Sequence, residues 1–254
     1  MLFEINILSK QKMDGVSSEM QHQVMGYDRA ATMFSPEGHL LQVEYAEKTV
    51  RLGSASIGMT CSDGVFILSD RRIKDVLMQT KFTSKIWDLD SHIIASAAGI
   101  LSDARILIEK ARLICQQHRA VYDSPIDVET VMKEIANVKQ LYTQYGGVRP
   151  FGVSIMIAGI SNKEPLVFIS DVTGNYFGYK ATAIGENDEK IKDILRKKYD
   201  EKITIKEGIK LGISIFKEVL DKNFDMDKLD CAYISTEKEV IERLKGEELK
   251  KLIK

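Results

Sequence analysis

The sequence predicts an α+β fold in which antiparallel sheets carry helices on their faces, and two observations lead there. The first is an order of segments: short alternating runs, two long amphipathic stretches, more short runs, two more amphipathic stretches and a last pair of short runs. The second is that the short runs are joined by tight-turn residues, which suits antiparallel neighbours. That order fits two antiparallel sheets packed face to face with helices on both outer faces, although periodicity alone admits other α+β layerings. At 254 residues and 44% hydrophobic content the chain can bury a large core, and the absence of a linker, repeat or low-complexity tract favours one domain.

The opening stretch, residues 27–50, reads YDRAATMFSPEGHLLQVEYAEKTV. Ser35 is a good N-cap, Pro36 suits the first helical position, and Glu37 suits the positive end of a helix dipole. Leu40, Val43, Ala46 and Val50 then recur at roughly helical spacing, which predicts a helix from Ser35 to Val50. Ser54 to Thr60 and Val65 to Ser69 alternate around Ser62-Asp63-Gly64 and form a predicted hairpin. Ser84 to Leu89 and His92 to Ala98 are a second pair of strands. Ala104, Leu107, Ile108, Ala111 and Cys115 line one face of a helix starting near Ser102, and Val128 to Tyr142 repeats the pattern until Gly146-Gly147 and Arg149-Pro150 stop it. Three strands are then expected, over Val153 to Ile160, Leu166 to Ser170 and Asn175 to Ala183. Helices over Asp188 to Tyr199 and Ile205 to Leu220, strands over Cys231 to Ser235 and Val240 to Arg243, and a charged helix over Glu247 to Lys254 complete the chain.

Composition narrows the chemistry. With 36 basic and 37 acidic residues the net charge is −1, so there is no electrostatic footprint for nucleic acid or an anionic membrane, and no apolar run is long enough to span a bilayer. Cys61, Cys115 and Cys231 lack CxxC spacing, and His22, His39, His92 and His118 are scattered. Neither a metal nor a cofactor is expected, and the cysteines read as reduced thiols of a cytoplasmic protein. Residues 1–26 lack the basic start of a secretion signal and are expected to be a mobile tail, with Met1 to Glu19 loosely attached, ahead of a single domain over 27–254.

The run YDRA, FSPEG, L-x-QVEYA and V-x-x-G, unbroken through Gly53, resembles the signature that opens α-type subunits of the 20S proteasome. GILSDARILIEKAR, YTQYGGVRPFGVSIMIAGI and YKATAIG extend the likeness to the C-terminal helix. The resemblance implies the four-layer αββα sandwich. It also implies a non-catalytic member of an outer homoheptameric ring of archaeal type. Such a ring stacks on β subunits, gates the passage of unfolded substrates to their threonine protease sites, and docks the C-terminal tails of a regulatory AAA ATPase unfoldase. It places Tyr27, Asp28, Pro36 and Tyr45 in the gate cluster, and Lys85, Gly53, Gly99 and Ile100, with Glu44 as a partner of Lys85, in the activator-tail pocket. Tyr145, Gly146, Gly147 and Val148 fall in the pore loop. Plainer readings stand beside these: a half-buried helix tyrosine for Tyr45, a solvated strand lysine for Lys85, and a helix C-cap for the glycine pair. Glu47 departs from the arginine common in relatives.

Catalytic β-type subunits of the same fold use a freed N-terminal threonine. The corresponding point here is Gly53-Ser54, and Asp70 and Lys85 fall near the acid and the lysine of those subunits. Ser54 lies in mid-chain behind the α-type signature, so no catalytic residue is expected. The alternative is a β-type hydrolase activated by cleavage at Gly53-Ser54.

Overall fold

The computed structural model of the protein describes residues 26, 29–72, 77–79 and 84–253. The helices are α1 (Leu41–Leu52), α2 (Leu101–Tyr122), α3 (Val128–Tyr142), α4 (Asp188–Lys198), α5 (Ile205–Leu220) and α6 (Glu247–Ile253). The first strands are β1 (Ser56–Cys61), β2 (Gly64–Asp70), β3 (Ile86–Asp90), β4 (Ile93–Gly99) and β5 (Val153–Ser161). β6 (Glu164–Ser170), β7 (Tyr176–Gly178), β8 (Ala181–Ile184), β9 (Leu229–Ser235) and β10 (Ile241–Lys245) complete them. One sheet has the order β10-β9-β2-β1-β8 and the other β3-β4-β5-β6-β7, and every neighbouring pair is antiparallel.

Three apolar layers hold the sandwich together. Leu107, Ile108, Val131, Met132 and Ile135 of α2 and α3 cover Ile93, Ala95, Ile155 and Ile157 on one outer face. Ile191, Leu195, Ile209, Ile213 and Phe216 of α4 and α5 cover Ile57, Phe66 and Leu68 on the other. Val65, Ile67, Ile94, Met156, Ala158 and Ile234 fill the space between the sheets. β2 is therefore buried at all seven positions, because both of its faces are packed. Polar contacts also cross between the sheets: Ser69 donates to Ser56 (2.9 Å), Ser56 meets Ser96 of the other sheet (2.8 Å), and Ser96 donates to the Lys85 carbonyl (3.0 Å). The αββα layering is the one the resemblance implied.

Three expected boundaries are corrected. The opening helix starts at Leu41, not Ser35, and runs to Leu52. Residues 35–38 close instead as a turn, in which Gly38 at φ 85° donates to the Ser35 carbonyl (2.9 Å) and His39 N–H donates to Ser35 Oγ (3.2 Å). Ser35 caps that turn and Leu40 precedes the helix without a side-chain cap. The run from Asn175 to Ala183 is two strands in different sheets: Tyr179 N–H still donates to Val167 of one sheet (2.8 Å), while the Lys180 carbonyl accepts from Thr60 of the other (2.7 Å). A continuous extended pattern carries no mark of that crossing. α3 ends at Tyr142, before the glycine pair, where the Thr143 hydroxyl and amide both donate to the Gln140 carbonyl (2.7 and 3.0 Å).

One core residue carries no apolar signal. Lys139 of α3 is completely buried, its ammonium donating to the Ser170 carbonyl (3.0 Å) and hydroxyl (3.2 Å). Burial lowers it from 10.5 to about 7, partly opposed by the charge of Asp171. Between those values the unfolded chain carries a proton that the folded chain lacks, so this group's contribution to stability rises with pH across the window. In Lys139→Met that rise is absent. The unfolding free energy of the wild type, from urea titrations, should gain on that of the variant between pH 7 and pH 9.5, by up to ~1.4 kcal/mol per pH unit; parallel pH profiles would contradict a buried, proton-losing lysine.

Candidate functional site at the end of the sandwich

α1 lies over one end of the sandwich, seated by Val43 and Ala46 on Val172. It ends at Gly53, where three backbones meet with nothing between them. A Cβ on Gly53 would lie 2.3 Å from Gly99 N, and one on Gly99, whose φ is 118°, would lie 2.2 Å from the Gly152 carbonyl oxygen. Only glycine permits either approach. The Gly53 carbonyl accepts from Glu186 N–H (2.7 Å), which ties the end of α1 to the loop after β8.

Directly beyond this contact stand Ser54, Asp70 and Lys85. Lys85 is 5% exposed, which overturns the solvated-lysine reading. Its ammonium donates to the Ser54 carbonyl and to Ser54 Oγ (2.9 Å). Burial lowers it to about 7, against the pull of Asp70 and with the repulsion of Arg72. Asp70 is nearly buried, donating its amide to the Ala55 carbonyl (3.0 Å) and accepting Arg72 N–H (2.9 Å). Arg72 spans the mouth of the site, bonded to the Leu52 carbonyl (3.2 Å) and to the Glu186 carboxylate. Its own φ of 45° is a strained value for a residue with a long side chain. The arrangement brings a hydroxyl, an amine of lowered basicity and a carboxylate together. Ser54 nitrogen, however, is a peptide nitrogen in a chain that runs from α1 into β1, so it offers no free amine as proton acceptor.

Of the residues assigned to the tail pocket, Lys85, Gly53, Gly99 and Ile100 border the glycine contact; the expected pairing of Glu44 with Lys85 is replaced by His39 Nδ1 on Glu44 (2.5 Å) and Ser54 on Lys85. Of the gate cluster, Tyr27 and Asp28 lie outside the described residues; Pro36 sits exposed in the turn before α1, and Tyr45 is half-buried with Lys48 Nζ 5.4 Å from its ring centre. Glu47, whose carboxyl is raised by burial and by Asp171, faces the loop that seats α1.

Tyr145, Gly146, Gly147 and Val148 form an exposed loop with Tyr145 57% open to solvent and Gly147 at φ 85°. Its far end is anchored by a bidentate pair, Arg149 Nη1 and Nη2 donating to Asp103 Oδ2 and Oδ1 (2.6 and 2.8 Å), while Gly152 N–H donates to the same carboxylate (3.0 Å). Burial alone would raise the Asp103 carboxyl, but the bonds from Arg149 and Gly152 outweigh it and hold it below its ordinary value. Asp103, Arg72 and Glu186 were not picked out by sequence reasoning, and Arg149 only as part of a helix stop. Their partners lie 46 and 114 residues away along the chain, beyond any local spacing signal.

Among the described residues no group of three His, Cys, Asp or Glu side chains is placed to hold a metal ion. Cys61, Cys115 and Cys231 are buried and free, burial pushing Cys61 and Cys115 up to about 12 and Cys231 higher.

Two sheets face to face between helices, with the first strand entered through a hydroxyl residue beside a lysine and an aspartate, define the N-terminal-nucleophile hydrolase architecture, here in a chain that continues unbroken through the hydroxyl residue. Comparison with known proteins narrows the class. Residues 50–234 match the proteasome subunit family, and residues 27–48 match the N-terminal signature of proteasome A-type subunits. The α-type proteasome subunit of Methanocaldococcus jannaschii is 43% identical over 227 residues, covering 89% of this chain and 87% of that protein. Those of Methanococcus maripaludis (strain C7) and Methanosarcina thermophila are each 40% identical, over 90% and 89% of this chain and 88% and 91% of theirs. The chain belongs to the proteasome subunit family and is of the α type.

The anchor of the exposed loop is testable by itself. Asp103→Asn removes the charge that holds Arg149, and because Arg149 is solvent-facing the loss should be about 1 kcal/mol at pH 7. The depressed Asp103 carboxyl stabilises the fold above its unfolded value and loses that contribution as pH falls through the folded one. Urea midpoints of wild type and variant should therefore converge in acid; a gap independent of pH would rule the ion pair out as its source.

Proposed function

We propose that the chain is the non-catalytic α subunit of a 20S core particle. It forms the outer homoheptameric ring, gates the entry of unfolded substrates to the threonine protease sites of a β ring, and docks the C-terminal tails of a regulatory AAA ATPase in the cytoplasm. The observation that carries this reading is that the segment bearing the α-type signature leads into the Gly53–Ser54 peptide as α1, packed on the sandwich by Val43 and Ala46, with Glu186 N–H on the Gly53 carbonyl and Lys85 on Ser54. A nucleophile of the β type needs that peptide bond cut, and here the segment before it is a helix packed on the sandwich rather than a detachable leader. Ring assembly is supported by Leu101, Ile106, Leu113, Val121 and Tyr122, large apolar residues left exposed along α2. In docking, a tail carboxylate draws Lys85 away from Ser54, as a cation matched to an incoming anion.

The decisive experiment is intact mass of the purified chain with and without a co-expressed β partner, together with peptide hydrolysis. The expected result is an uncut Gly53–Ser54 bond and activity only with β present. Tail peptides should stimulate the assembled particle, and Lys85→Ala should abolish the stimulation. Because Lys85 loses its charge above about pH 7, tail affinity should fall as pH rises past that value, by at most ~tenfold per unit. A new terminus at Ser54 and activity in the chain alone would replace this reading with that of a processed N-terminal-nucleophile hydrolase, which the contact of Lys85 with Ser54 Oγ would then serve.

A further inference from the structure

Gly152 lies four residues beyond the exposed loop, and its peptide is shared by three parts of the site. Its N–H is held by Asp103, the carboxylate that also takes Arg149. Its carbonyl accepts two donors: Ile100 N–H (2.9 Å), next to the Gly53–Gly99 contact, and the Thr49 hydroxyl (2.9 Å) from the third turn of α1. There is no slack around it, since a Cβ on Gly152 would lie 2.8 Å from Thr49 Oγ1 and 2.7 Å from Ile100 Cδ1. Thr49 Oγ1 also lies 2.7 Å from the Ala46 carbonyl of its own helix, so its single proton is shared between an acceptor in α1 and one in the loop segment. The pattern is that of a hydroxyl poised to hold either carbonyl, and through it α1 reaches this segment.

We infer that Thr49 is a positioning residue that ties the gating helix to the pore loop through the Gly152 carbonyl, so that displacement at Gly99–Ile100 is passed to both together. The inference rests on the proposed function, together with the tail pocket at Gly99–Ile100 and the pore loop at residues 145–148 that the resemblance implies. Physically, Ile100 N–H and Thr49 O–H occupy the two lone pairs of one oxygen, so the position of that oxygen is fixed by both donors. A shift of Ile100 moves the Gly152 peptide, and with it Arg149 on one side and α1 on the other. Sites coupled through one such group characteristically influence each other by a factor of a few to a hundred.

The test uses the assembled particle and, as probe, a synthetic peptide ending in Leu-Tyr-Ala with a free carboxylate. Thr49→Val keeps the side-chain volume and removes the hydroxyl; Thr49→Ser keeps the hydroxyl. In Thr49→Val the half-saturating peptide concentration should stay that of the wild type while maximal stimulation falls roughly fivefold, and Thr49→Ser should restore it. A parallel measurement on the α chain alone follows amide exchange at residues 145–148, which should quicken in Thr49→Val and not in Thr49→Ser. Wild-type stimulation in Thr49→Val, or equal exchange in all three proteins, overturns the tie. Should the peptide fail to stimulate even the wild type, the proposed docking role falls, and the exchange measurement still decides whether Thr49 orders the loop.

Discussion

Three glycines set how closely α1 can lie against the end of the sandwich, and most of what the chain offers at that end depends on this. Gly53, Gly99 and Gly152 stack backbone on backbone with gaps that a methyl group could not enter. The contact brings the last turn of α1, the end of β4 and the entry to β5 to one place. Hydrogen bonds then use the proximity: Glu186 N–H reaches Gly53, and Ile100 N–H and Thr49 reach Gly152. A Cβ on Gly53 would push α1 off the end of β4, and one on Gly99 would push β4 from the Gly152 carbonyl that Ile100 and Thr49 share, which is why the contact ranks above any single polar interaction in the site.

Charge is handled in the same region with little help from salt bridges. Lys85 and Lys139 are both buried, and each rests on a peptide carbonyl and a serine hydroxyl rather than on a carboxylate. An ammonium in such surroundings is only weakly compensated, so burial dominates and both lysines drop to about 7. Carboxylates lie close enough to oppose the shift, Asp70 for Lys85 and Asp171 for Lys139, without forming a bonded pair. By contrast Asp103 has a full bidentate partner and stays ionised with ease. Lys85 is thus held by neutral groups, whereas Asp103 is fixed by a charged bidentate partner.

The geometry around Ser54 gathers three reactive groups at one end of the sandwich. A hydroxyl, an amine and an acid are gathered by β1, β2 and the start of β3: the β1–β2 register, which pairs Ser56 with Ser69, brings Ser54 and Asp70 together, and the packing of the other sheet brings Lys85. The Gly53 carbonyl that precedes Ser54 is held by Glu186, and the helix before it is packed by Val43 and Ala46.

Much of this was legible in the linear chain. The 3.6 and 2 periodicities located the helices and all but one of the strand divisions, because apolar faces needed on both sides of each sheet leave their spacing in the sequence, and the run from Tyr27 to Gly53 declared the family. The family resemblance named Lys85, Gly53, Gly99 and Ile100 together, and they lie at one end of the sandwich. Tertiary structure decided the rest, for identifiable reasons. Residues 35–38 became a turn because Gly38 took a left-handed φ, and the strand over 175–183 was divided because its two halves found partners in different sheets. Lys139 became core and Lys85 turned inward because carbonyls from distant strands were there to receive them. The joining of Thr49, Asp103 and Arg149 at Gly152 depends on contacts spanning 46 to 103 residues, which no local pattern records.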